Sequence, residues 1–169
     1  MTFESIVRQW CRQYKPMRDS AKNRRFYFTD STAGVVELAK GITSNYSPCV
    51  VMESDVEGGG EIARPVMNYP IYFFVVADKM ADGDEAAVAK NKAKEHARQF
   101  LAWLKAKHDK ELEENIDGDF ARIDLDGYVN FSTVGPLQNG WYAVLVQIER
   151  EEPLNLCVDE NMYDSECDC

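Results

Sequence analysis

The sequence predicts an α+β fold: a mostly antiparallel sheet with one long helix packed on it and an amphipathic helix at the N-terminus. Three observations predict it. Residues 71–77, Ile-Tyr-Phe-Phe-Val-Val-Ala, are apolar, rich in aromatic and β-branched side chains, and too few for a typical helix, so they read as a buried central strand. From Asp84 to Leu112 there is neither Gly nor Pro, and the strong helix formers Ala, Lys, Glu and Leu dominate. From Trp141 to Ile148 the chain alternates, with Tyr142, Val144, Val146 and Ile148 on one apolar face.

The elements follow in order. Phe3, Ile6, Val7, Trp10 and Tyr14 recur at helical spacing, Thr2 is placed to cap that helix, and Pro16 marks its end. Arg8, Arg12 and Lys15 then face solvent. Phe26-Tyr27-Phe28 reads as a short strand. Val35 to Lys40 fits a helical turn or a strand equally well. Pro48 to Glu53 reads as a buried strand, and Glu57-Gly58-Gly59-Gly60-Glu61 as the polar tip of a hairpin that returns through Arg64-Pro65-Val66. Asp82 or Asp84 is the expected cap of the long helix. Its stripe is Ala89, Ala93, Ala97, Phe100, Leu101, Leu104 and Leu112, which must lie on the sheet. Trp103 falls off the centre of the stripe and reads as a surface anchor. Phe120 to Phe131 reads as a strand, Gly135 to Gly140 as a turn, and the strand from Trp141 completes an antiparallel hairpin. Residues 1–153 are expected to form a single α+β domain, and 154–169 an acidic C-terminal tail.

Composition narrows the function classes. With 169 residues, 45% hydrophobic and 11% aromatic, the chain can bury a proper core and is not a disordered polymer. No apolar run approaches the length that crosses a bilayer, and the N-terminus lacks the pattern of a signal peptide, which predicts a cytosolic protein with no membrane partner. The net charge of −10 disfavours nonspecific nucleic-acid binding by the whole domain. That charge is uneven. Residues 1–25 hold seven bases against Glu4 and Asp19, a net of +5, which leaves −15 for the rest. From Glu149 onward there are eight acids and a single base, Arg150.

Motifs for chemistry are weak throughout. Gly58-Gly59-Gly60 is not followed by the Lys-Ser/Thr of a phosphate loop. Asp124-Leu125-Asp126-Gly127 has Arg122 and Thr133 where a calcium loop requires carboxylates, and reads as a surface turn. His96 and His108 stand alone on the long helix, as exposed or half-buried residues. Cys157, Cys167 and Cys169 have no nearby His and form no C-x-x-C pair, and Cys11 and Cys49 read as core. No catalytic residue, metal site or cofactor is expected.

The layout carries a resemblance. A basic amphipathic helix is followed by the strand Pro48 to Glu53, the central strand from Tyr69 to Ala77, the helix to Leu112, and the strand from Gly140 to Ile148. This resembles the tail terminator and tail-completion proteins of tailed bacteriophages, and the related head–tail connector proteins. The resemblance implies a non-enzymatic virion subunit, assembled in the host cytoplasm into a homo-oligomeric ring, commonly a hexamer. Such a ring joins the tail tube to the neck of the capsid, and DNA passes through its lumen without specific binding. On this reading Arg8, Arg12, Arg24 and Arg25 are candidate interface cations, because a head-to-tail contact pairs unlike surfaces. Glu57, Gly58, Gly59, Gly60 and Glu61 form a candidate partner-contacting loop. The alternatives are a cytosolic protein-binding adaptor domain and a small enzyme of unrecognised type.

Overall fold

The computed structural model describes residues 2–29, 47–53, 67–68, 71–79, 85–125, 130–137, 140–150 and 152–153. Helix α1 spans Phe3–Gln13 and is followed by strands β1 (Phe26–Thr29), β2 (Cys49–Glu53), β3 (Met67–Asn68) and β4 (Ile71–Lys79). The long helix α2 is Ala86–Glu113, and strands β5 (Ile123–Asp124), β6 (Asn130–Leu137), β7 (Trp141–Arg150) and β8 (Glu152–Pro153) complete the order. The α+β class stands. The main sheet runs β1-β2-β4-β7-β5, with β6 also paired to β7, while β3 and β8 form a separate small pair. Every pairing in the main sheet is antiparallel except β1 with β2, which is parallel, so the sheet is mixed.

Helix α1 forms where its pattern places it. Thr2 Oγ1 accepts the Ser5 N–H, and the acidic Glu4 sits in the first turn, where the helix dipole favours it. The chain leaves the helix at Tyr14, two residues before Pro16. Phe3, Ile6, Val7, Trp10 and Cys11 are buried. They meet Phe26, Val50 and Met52 from β1 and β2, and Ala93, Ala97, Phe100 and Leu104 from α2, in the main core. Trp10 stacks on Tyr14 at 4.8 Å and meets the Phe100 ring edge-on at 5.1 Å.

Helix α2 packs on the same sheet face through Ala89, Ala93, Ala97, Phe100 and Leu104. Three of its details depart from expectation. First, its N-cap residue is Glu85, with no side-chain cap bond, instead of Asp82 or Asp84. The glutamate side chain is one methylene longer than the short acceptors that close onto the first turn. Second, Leu112 leaves the stripe and is 52% exposed. At 28 residues the helix is about 42 Å long at ~1.5 Å per residue, and outruns the ten-residue strand β7, about 34 Å at ~3.4 Å per residue. Third, Trp103 is no surface anchor. It is half-buried against Phe100 and Phe120, and its Nε1–H donates to Gln13 Oε1 at 3.2 Å, joining α2 to the end of α1. The helix ends in a preorganised turn. Asn115 adopts φ 52°, its N–H donates to Leu112 O, and the Ile116 N–H donates to Glu111 O at 2.9 Å.

The strand expected over 120–131 is instead two strands. β5 pairs with residues 149–150 and β6 with residues 141–147 of the same strand β7. The expected turn at Gly135 is part of β6, where the register shifts between Val134 and Leu137, and Gly135 adopts φ 128°, which its missing Cβ permits. Strand β7 is buried on both faces at its start. Tyr142, Val144, Val146 and Ile148 face the helices, while Trp141 and Ala143 join Cys49, Val51 and Ala77 in a second, smaller core on the opposite face. The tip at Glu57–Glu61, the segment Val35–Lys40, and the tail 154–169 with its three cysteines lie outside the described residues.

Candidate functional site

Two places gather polar side chains: a basic groove at one sheet edge and a buried network under α2.

The groove lies where α1 passes the outer strand β1. Arg8, Arg12, Asp19, Ser20, Ala21, Arg24 and Phe26 line it, around a volume of about 580 Å³. Arg8 and Arg12 are four residues apart on one helix and so share a face. The chain after the helix returns along that face because the Asp19 carboxylate accepts the backbone N–H groups of Arg25 at 2.6 Å and Phe26 at 3.1 Å. This leads the chain into β1 and sets Arg24 opposite α1. Asp19 is therefore occupied by the backbone, and three guanidinium groups face one committed carboxylate.

Each arginine is held differently. Arg8 lies 4.7 Å above the Phe26 ring and pairs with Glu4 at 2.8 Å. That pair is an exposed i,i+4 contact, worth about 0.3–0.5 kcal/mol, and gives way readily to a better partner. Arg24 donates from Nε to Phe26 O at 3.3 Å and lies 5.3 Å above Tyr27. Arg12 is exposed and makes no ion pair among the described residues. Of the four sequence-selected cations, Arg25 is not in the groove. It donates to Pro48 O and Asn23 Oδ1, tying the loop to the entry of β2.

The buried network had no signal in the sequence. Asp78 is 6% exposed, near the end of β4. Its Oδ1 accepts the Ser47 hydroxyl and the Lys79 N–H, and the Lys79 N–H also donates to Ser47 Oγ at 2.9 Å. Its Oδ2 lies 3.4 Å from His96 Nε2 on α2. His96 Nδ1 shares a hydrogen bond of 2.9 Å with the Tyr14 hydroxyl. The order is Tyr14, His96, Asp78, Ser47, so the carboxylate stands between imidazole and serine. A nucleophilic serine needs the imidazole at its own hydroxyl, and this order does not place it there. What the network does is join α1, α2, β4 and the approach to β2 in the core. Burial, and then the nearby Glu95 charge, raise the Tyr14 pKa, so its hydroxyl stays protonated.

The two described cysteines are buried. Burial pushes the Cys49 thiol up to about 12, with Asp78 adding to the rise and Arg25 opposing it. Cys11 is pushed up further, by burial first and then by Asp19. Such thiols are inert core groups at neutral pH. Among the described residues no three His, Cys, Asp or Glu side chains are placed to hold a metal ion. Among the described residues no helix is long and apolar enough to cross a membrane.

No protein-family model, curated protein or solved structure matches the chain.

Proposed function

We propose that this chain is a structural virion subunit. It forms a homo-oligomeric ring at the tail end or neck of a tailed phage and joins the tail tube to the capsid connector. The element order supports the reading: a basic N-terminal helix, a central strand, one long helix laid over the sheet, and a closing antiparallel pair. The observation that carries it is the groove. In a chain of net charge −10, Arg8, Arg12 and Arg24 converge at one edge of the sheet on a single internal carboxylate. Solvated cations alone need no such convergence. A groove of this kind suits the acidic surface of a neighbouring copy, and a head-to-tail contact that closes gives a ring.

The test is the mass in solution. Arg8→Glu with Arg12→Glu reverses two of the groove's three cations; Arg12 is exposed, and the only core contact given up is that of the Arg8 guanidinium over the Phe26 ring. The paired variant is expected to lose the ring-sized species in light scattering after size exclusion while keeping the circular dichroism of the parent. An unchanged ring in the variant refutes the groove as the subunit contact.

A further inference from the structure

We infer that the groove receives the turn that ends α2, Leu112 to Asp117, from a second copy of this chain; the inference rests on the ring reading above. Four observations lead there. The segment Glu111 to Asp119 holds five carboxylates and no base. Within it Leu112 is 52% and Ile116 48% exposed, two of the three large apolar side chains most exposed among the described residues. The turn is rigid. The Asn115 and Ile116 N–H groups close it onto Leu112 O and Glu111 O, and the Glu111 carboxylate accepts the Phe120 and Ala121 N–H groups at 2.9 Å each. That carboxylate lies over Gly118 Cα, where any Cβ would collide with it. Finally, the acids sit at the wrong end of a helix. The C-terminus of α2 already carries the negative end of the helix dipole, and Glu113 and Glu114 add to it.

Some of that charge is met within the chain. Glu114 lies 3.8 Å from Lys110, Asp117 lies 3.2 Å from Arg122, and Arg150 is 2.8 Å from Asp119. Glu113 makes no ion pair among the described residues. A preformed turn that presents two apolar side chains beside unneutralised acid binds without a large ordering cost.

The topology keeps the turn and the groove of one chain apart. The groove flanks Phe26 on β1, at one end of the strand path, and the turn leads into β5, at the other. Four strand spacings separate them, about 19 Å at ~4.8 Å each. They are also displaced along the strands. Phe26 is level with Val50, Val76 and Val144, whereas β5 pairs at 149–150. Six residues add about 20 Å at ~3.4 Å each. A groove and a turn at diagonal corners cannot satisfy each other within one chain. Joined between copies, they generate a heterologous repeat, the arrangement a ring requires. In the contact the guanidinium groups of Arg12 and Arg24 meet Glu113 and Glu114, and Leu112 packs beside them.

The experiment uses sedimentation velocity on the full chain, with three variants. The groove variant is Arg8→Glu with Arg12→Glu, the turn variant is Glu113→Lys with Glu114→Lys, and the third combines all four. Each two-site variant is expected to sediment as a monomer. An equimolar mixture of groove and turn variants sets intact groove against intact turn and Glu-bearing groove against Lys-bearing turn, so opposite charges meet at every alternating contact, and it is expected to recover the larger species that neither variant forms alone. The four-site variant restores opposite charge and is expected to recover the larger species. If the parent forms rings that the turn variant also forms, the inference fails and the ring reading survives. If the parent is a monomer up to the highest soluble concentration, both fail together. A turn variant that is monomeric but not rescued in the four-site chain also overturns the pairing.

Discussion

Removing the Asp78 carboxylate should unfasten four parts of the protein at once. In Asp78→Ala, Ser47 loses the acceptor of its hydroxyl and His96 Nε2 loses the carboxylate 3.4 Å away, while the Lys79 N–H keeps Ser47 Oγ at 2.9 Å. Two half-buried polar groups are thus left short of a partner. Fully buried, each would cost about 1–3 kcal/mol; with water reaching part of both, the variant is expected to lose ~2–4 kcal/mol. Against a domain stability of about 5–15 kcal/mol, that is a large fraction. Ser47→Ala removes one of these groups outright and leaves the carboxylate with His96 and the Lys79 N–H. It should cost roughly 0.5–1.5 kcal/mol. Because the two residues share a bond, the double variant should be less destabilised than the sum, by about 0.5–3 kcal/mol. Urea unfolding followed by circular dichroism at 222 nm and by tryptophan fluorescence gives all four values of the cycle. A cost below about 1 kcal/mol for Asp78→Ala, or strict additivity, would refute the network as a fastening of the core.

The remaining predictions concern the thiols and the helix pair. Cys49, raised to about 12, and Cys11, raised further, hold their protons in the folded chain after the unfolded chain begins to lose them at its ordinary 9.0. Their stabilisation is therefore complete below about pH 9 and is lost as pH rises above it, by up to ~1.4 kcal/mol per pH unit for each thiol. Between pH 9 and 11 the double variant Cys11→Ala, Cys49→Ala should show a shallower decline in urea midpoint than the parent; identical slopes would contradict the assignment. Trp103→Phe keeps much of the packing on Phe100 and Phe120 but drops the bond to Gln13, and should cost less than ~1.5 kcal/mol. Trp103→Ala removes both and should cost about 3 kcal/mol by the same unfolding measurement; equal costs would show that packing contributes little there.

How much of this was legible in the residues depends on whether a feature is periodic. Helix α1 was legible to within a residue or two, because five apolar side chains repeat at one spacing and Thr2 and Pro16 bracket them. The central strand and α2 were legible for the same reason. Leu112 shows where periodicity fails: it continues the stripe in sequence, but the stripe is buried only as far as the sheet reaches. The pair β5 and β6 was illegible as two strands because both borrow the same partner, β7, at different registers, and alternation along 120–131 carries no sign of that. The parallel pairing of β1 with β2 was likewise hidden, since a strand's own pattern does not state its neighbour's direction. At the groove, the charge excess of residues 1–25 was visible, but not the convergence. That arises from the Asp19 side chain binding two backbone N–H groups and folding Arg24 back toward α1, while Arg25 turns to Pro48. The network of Tyr14, His96, Asp78 and Ser47 joins residues up to 82 apart and follows no spacing rule.

The central claim is self-assembly through charge. The most direct test is the mass of the purified full chain by light scattering after size exclusion, at about 50 mM and about 1 M salt, where the screening length falls from about 14 Å to ~3 Å. The account predicts a ring-sized species in low salt that dissociates in high salt. A monomer in low salt at every concentration, or a ring that is indifferent to salt, would contradict it.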